Sequence, residues 1–302
     1  MDTCICCTPK RLPRDMWNSA AKQAVAVNPL NYPPLHLIRR VNKKFQLTPE
    51  YISVVTTKYW HTSGAHLSVQ FLDNPPASVR RKILDNMNFW STRLNVSFSE
   101  TSGSGQVRIA RQEGDGYWSY LGTDVLSIPL DEPTMNLESF SDDTPDSEYH
   151  RVVRHETGHT LGCPHEHMRR ELVDRIDPKK ALSYFEATQG WSPEEVQQQV
   201  LTPLEEASLW GTARADDSSI MCYQIPGSIT KDGKPIPGGT DIDESDFSFM
   251  EKVYPKPGGA AVPAVAGAKD SDLTVSLRAD IQRLQSDKDA LTRTVEILAS
   301  RR

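Results

Sequence analysis

The fold and the chemistry of this chain turn on one stretch, His155-Glu156-Thr157-Gly158-His159-Thr160-Leu161-Gly162-Cys163-Pro164-His165. Two histidines four apart lie on one face of a helix, one turn above the other. Both imidazoles then reach a single cation, and the adjacent Glu156 addresses a water on that cation. Gly162 is placed to end the helix, because a left-handed cap costs glycine little. From there the chain turns back and delivers His165 as a third nitrogen. Three protein ligands plus a water is the arrangement of a catalytic zinc, not of a closed structural one. A bare His-Glu-x-x-His arises by chance in roughly one chain in a hundred of this length and composition. With the glycine and third histidine at their offsets, coincidence is about a thousandfold rarer. A merely polar helix is therefore a poor reading.

Downstream lies Ser219-Ile220-Met221-Cys222-Tyr223. The histidine motif followed by such a methionine turn resembles the metzincin metalloproteases. Glu166 directly after the third histidine, and Tyr223 two residues after the methionine, narrow the resemblance to astacin-type proteases. It runs from about Trp60 to Tyr254. Serralysins share the tyrosine but usually carry Pro at the place of Glu166, and matrix metalloproteinases and reprolysins lack the tyrosine. The resemblance implies one catalytic Zn2+ held by His155, His159 and His165, with Tyr223 as a further ligand. It also implies Glu156 as general base, Tyr223 as a catalytic hydroxyl that swings to the transition state, and Met221 as an apolar floor beneath the histidines. There are departures. The cysteines do not reproduce the two astacin disulfides, Cys222 stands where His is frequent, and no Phe-x-Gly-Asp inhibitory segment precedes the domain.

The expected activity is zinc-dependent endopeptidase, with a protein or peptide substrate. One alternative is a non-catalytic zinc-binding scaffold acting through its tail, although a structural site has no use for Glu156. Another is a serralysin-like protease, which Glu166 and the lack of Gly-rich calcium repeats disfavour. The expected fold class is α+β. A metzincin-like catalytic domain would combine a twisted mixed sheet, an active-site helix and a mostly irregular or helical C-terminal half, followed by a C-terminal helical coiled-coil tail.

At 302 residues the chain can bury one sizeable core with appendages. Its net charge of −6 disfavours nucleic acid, which needs a basic face. No apolar run reaches membrane-spanning length. The N-terminus lacks a charged region followed by an apolar one, so no secretory signal is read, and the expected location is cytoplasmic or reached by non-classical export. Five cysteines argue against a disulfide-stapled domain. Cys4, Cys6 and Cys7 read first as incidental thiols at a disordered end. Lipidation, metal binding or a thiolate lock on the zinc are the alternatives. Cys163 and Cys222 read as core packing, with a mutual disulfide as the rival.

Residues 1–55, rich in Pro and basic side chains, read as an N-terminal extension or pro-like arm ahead of the protease domain at 56–255. Alternation at Leu67, Val69 and Phe71 predicts a strand over 66–72. A helix follows from Pro75-Pro76 to about Arg93, with Val79, Ile83, Met87 and Trp90 facing the core. Further strands are expected at 95–98 and 106–110, and a substrate-pairing edge within 117–130. The active-site helix is expected over 148–161, with helices near 178–189, 193–199 and 203–210 and a closing helix at 244–253. Residues 256–270 compose a Pro/Gly/Ala linker. Leu277, Ile281, Leu284, Leu291, Val295 and Leu298 then make a short heptad pattern within 271–302, expected to form homo-oligomers, with docking onto the domain as the rival. Between Arg111 and Arg151 there is no Lys or Arg but ten carboxylates. This run is read as a solvated acidic loop with helix caps, as a field drawing basic substrates, or as a Ca2+ site that nothing else supports. Arg169 and Arg170 are expected to line the primed side of the cleft.

Overall fold

Alternating burial along β1 (Ala65–Phe71) sends Ala65, Leu67 and Val69 into the core, and this strand sits inside a five-stranded sheet. The computed structural model describes residues 7, 8, 10–32, 56–61, 63–203 and 215–257. Contacts divide the chain into units 1–259 and 260–302, and every described residue belongs to the first. The linker beyond residue 257, the heptad tail and the expected helix at 203–210 beyond its first residue lie outside the described residues. Among the described residues, no helix is long and apolar enough to cross a membrane.

β1 is flanked in parallel by β2 (Val96–Glu100) and β3 (Val107–Ala110), with Leu67 opposite Phe98 and Phe71 opposite Ile109. β3 pairs in parallel with β5 (Met135–Leu137), and β4 (Tyr117–Ser119) closes the order β2-β1-β3-β5-β4 as an antiparallel edge. Leu67, Val69, Phe98, Val107, Ile109, Met135 and Leu137 pack with Val79, Ile83 and Met87 of α2 (Ala77–Met87). Burying each aliphatic side chain contributes about 1.5–3 kcal/mol.

Two expectations are corrected here. The helix expected to reach Arg93 ends at Met87 and tightens into a 3-10 turn, Asn88–Thr92. The Asn88 side chain draws the end over by donating to Phe98 O at 2.9 Å and accepting from Phe98 N at 2.9 Å, which ties the turn to β2. The apolar run 125–130 is not part of the sheet edge. Gly122–Ser127 is a 3-10 helix, and the sheet is completed instead by β5.

The helix that carries the histidines is not uniform. α3 (Asp146–Glu148) leads into a π-turn, Tyr149–Val153, and then into α4 (Arg154–Thr160). Such a turn within a helix is frequent at functional sites.

The following half is built from α5 (Arg170–Val173), α6 (Pro178–Gln189), α7 (Pro193–Val196) with a π-turn at Gln197–Leu201, and α8 (Glu244–Val253). α6 has the bounds its sequence signals give. Asp177 caps it by accepting from Lys179 N at 3.0 Å, Pro178 opens it, and Gly190 closes it in the left-handed region. A second apolar cluster holds Phe185, Trp191, Val196, Val200, Cys222 and Tyr223. Met221 belongs to the first cluster and Tyr223 to the second, so the turn 219–223 bridges the two cores. Upstream, α1 (Trp17–Val27) buries Ala20 and Ala24.

Candidate metal centre

α4 presents His155, Glu156 and His159, all buried. Gly162, at φ +103°, donates its N–H to His159 O at 2.8 Å and breaks the helix. A Cβ there would fall 2.7 Å from Tyr59 Cδ1, so glycine meets both the backbone and the packing demand. The reversal brings His165 Nε2 to 3.2 Å from His155 Nε2 and 3.0 Å from His159 Nε2.

The outer ring nitrogens fix the tautomers. His155 Nδ1 donates to Ile220 O at 2.6 Å, and His159 Nδ1 donates to Cys163 O at 2.7 Å. A carbonyl only accepts, so the protons sit on Nδ1 and the Nε2 lone pairs face inward. Burial holds the rings neutral, pushing His155 down to about 4 and His159 and His165 well below the ordinary histidine value. Converging lone pairs repel one another unless a cation lies among them. Cys7 Sγ joins the three imidazole nitrogens in a set of donors all within 4.8 Å of one another. This nitrogen and sulfur set suits tetrahedral zinc.

Glu156 is fully buried, and burial pushes its carboxyl up to about 8 when no cation is near. Its Oε2 accepts from the Cys7 thiol at 3.4 Å, while Oε1 has no hydrogen-bond partner. Tyr223 donates its hydroxyl to Cys7 O, and its ring lies 4.3 Å from that of His165 and stacks on His167 at 3.9 Å. His167 lies outside that donor set, its ring 5.0 Å from that of His165 and its Nε2 donating to Gln199 O at 2.8 Å. Met221 lies against the helix, and a Cβ on Gly158 would stand 2.4 Å from Met221 Sδ. That contact explains the glycine inside the histidine motif.

A carboxylate that sequence reading missed holds the turn. Asp246 of α8 accepts from Ser219 Oγ at 2.6 Å and from Ile220 N at 3.1 Å, next to the carbonyl that orients His155. Burial pushes Asp246 up to about 6. In sequence it is legible only as the third residue of a helix capped by Asp243, a role it also fills.

Other expectations change. Arg169 pairs with Glu166 at 3.6 Å, and neither Arg169 nor Arg170 lines the cavity beside the centre. The arginine that does is Arg151, gripped by Glu148 at 2.7 Å. The acidic run disperses into local work. Asp124 pairs with Lys58 at 3.1 Å, Asp146 with Lys82 at 2.6 Å, and Glu138 accepts from Gly114 N and Gly116 N. Cys163 and Cys222 keep their expected reading as core packing, each a buried free thiol in one of the two apolar clusters. His155, Glu156, His159, His165, Met221 and Tyr223 are brought together as the motif expects. If the three imidazoles hold the metal, His159→Ala should leave purified protein largely without zinc by elemental analysis. Undiminished zinc would remove His159 from the ligand set.

Residues 54–181 match the model of the astacin peptidase family. The chain is 33% identical over 96 residues to the zinc metalloproteinase nas-27 of Caenorhabditis elegans, covering 32% of this chain and 20% of that protein. The match thus spans about a fifth of that curated relative's length. A structure of myroilysin superposes with a TM-score of 0.63 and 32% identity over 68% of this chain and 98% of that one. A second, a crystal structure of myroilysin, gives 0.51 and 31% over 66% and 86%.

Proposed function

This chain belongs to the astacin family of zinc metalloproteases, and from that premise we propose that it is an endopeptidase working at the three-histidine centre. The supporting observation is the geometry of the buried carboxylate, with Glu156 beside the converging Nε2 atoms and its Oε1 uncommitted. Zinc bound there supplies Lewis acidity and a nucleophile at neutral pH. His155, His159 and His165 hold it as neutral donors, kept in register by the Ile220 and Cys163 carbonyls. Glu156 takes the proton of the attacking water and returns it to the leaving amine. Tyr223 turns its hydroxyl to the substrate carbonyl as negative charge grows on that oxygen. Met221 keeps the underside of the centre dry. The edge of β4 offers backbone groups to an extended peptide.

The test is zinc content together with casein cleavage. It is run on the zinc-loaded full chain and on Cys7→Ser, since Cys7 faces the same groups. Cleavage lost on chelation and restored by zinc is expected. Bound zinc with no cleavage by either protein would favour the scaffold reading.

Tyr223→Phe should lower kcat by roughly 10²-fold, the cost of one oxyanion donor, and should leave zinc bound through the nitrogens. An unchanged kcat on peptides would take Tyr223 out of the mechanism.

A further inference from the structure

We infer that Asp246 tunes the metal centre from a distance. Its charge reaches His155 through one hydroxyl and one peptide unit, and makes that imidazole the strongest nitrogen donor of the three. The inference rests on the zinc-site reading above and adds how its ligands are graded. Asp246 is a positioning residue, because it acts on the centre only through other groups.

The chain of donors is continuous. His155 Nδ1 donates to Ile220 O at 2.6 Å. The same peptide unit carries the N–H of Met221, which donates to Ser219 Oγ at 3.0 Å. Ser219 Oγ in turn donates to Asp246 Oδ1 at 2.6 Å. Every proton in the line points towards the carboxylate. A peptide that donates through its N–H is a better acceptor at its oxygen, and bonds linked in this way strengthen one another where water is excluded. Ser219, Ile220, Met221 and Asp246 are all buried. The negative charge is therefore felt at His155 Nε2, the atom that faces the other two imidazoles. A carboxylate bonded directly to a metal histidine raises its basicity in the same sense.

The line is fixed at both ends. Ile220 N donates to Asp246 Oδ2 at 3.1 Å, and a Cβ on Gly239 would stand 2.4 Å from Ile220 N, so the backbone has no room to turn away. The carboxylate also accepts from Asp243 N at 3.1 Å in the first turn of α8, where the helix dipole favours a negative charge.

The other two imidazoles lack such a connection. His159 Nδ1 donates to Cys163 O at 2.7 Å. The nitrogen of that peptide belongs to Pro164, which has no N–H to pass the polarisation on. Among the described residues, His165 Nδ1 has no hydrogen-bond partner. Three histidines that the motif makes alike are thus made unequal by α8.

The test reads each imidazole by itself, by nuclear magnetic resonance of the zinc-loaded full chain isotope-labelled at histidine. The Nδ1 proton of His155 is expected downfield of that of His159. Asp246→Asn and Ser219→Ala should each move the His155 resonance upfield and leave His159 in place. Each should weaken zinc binding about tenfold in competition with a chelator, the lower end for a lost outer partner. The double variant should bind no more weakly than either single one, because both cut the same line. A wild-type His155 proton that is not the further downfield would overturn the relay before any variant is made. Equal displacement of His155 and His159, or additive losses of zinc affinity, would overturn it too and leave Asp246 as a support of the turn. Failure of the wild type to bind zinc would overturn the centre itself, and the relay with it.

Discussion

Glu156→Gln is expected to keep the fold and the zinc while losing kcat by about 10²–10⁴-fold, the usual worth of a positioned general base. The amide matches the carboxylate in shape, so the packing of this fully buried side chain is retained. It cannot accept a proton from water. Burial alone pushes the Glu156 carboxyl up to about 8, and a cation beside it lowers that value toward the range where a base works at neutral pH. The comparison should be made in the zinc-loaded full chain and again in Cys7→Ser, so that loss of chemistry is separated from occupancy by the arm. A kcat within about threefold of the parent in both backgrounds would deny Glu156 the role, since the smallest base contribution is nearer 10².

Trp90→Ala carries the largest expected effect on stability, about 3–5 kcal/mol. Trp90 is wholly buried in the 3-10 turn after α2, and its Nε1 donates to Arg154 O at 3.0 Å, one residue before His155. Its ring meets Phe247 of α8 edge-on at 5.7 Å. The alanine leaves a cavity under α4 and removes the indole donor from the Arg154 carbonyl. Urea unfolding of the metal-free protein should show the loss, and zinc affinity should fall with it because α4 loses support. Trp90→Phe, which keeps most of the ring volume, should cost less. A loss under about 1 kcal/mol for the alanine would mean the site collapses to fill the space.

The metal site is legible in the sequence because its determinants are local. Helical spacing, a breaker glycine and a third histidine lie within eleven residues, and backbone geometry does the rest. α6 is legible for the same reason, through Asp177, Pro178 and Gly190. β5 is not. Its three residues are all buried, so no alternation marks them, and they follow a turn-rich acidic run. A charged residue on a strand ordinarily faces solvent, and Arg108 does not. Folded, it is almost wholly buried, donating to the carbonyls of Gly105, Ile128 and Glu132. Charge marks exposure only where the backbone offers no acceptors, and that is a tertiary fact. Cys7 meets Glu156 across 149 positions, and no spacing rule reaches so far. Asp246 reads as a cap, and its second use appears only when α8 meets the turn 219–223.

The π-turn at Tyr149–Val153 has a consequence for comparing chains by length. Each turn of that kind accommodates one residue more than an α-helical turn. The helix therefore stores a single residue of slack between Glu148 and Arg154. A relative with a regular helix here would carry the same two flanks, in the same orientation, joined by one residue fewer. The gap between two such chains would fall inside a buried helix, although insertions and deletions ordinarily fall in surface loops. Aligning these helices without a gap would then displace every position on one side by one residue, and Arg151 would be matched to a position facing a different direction.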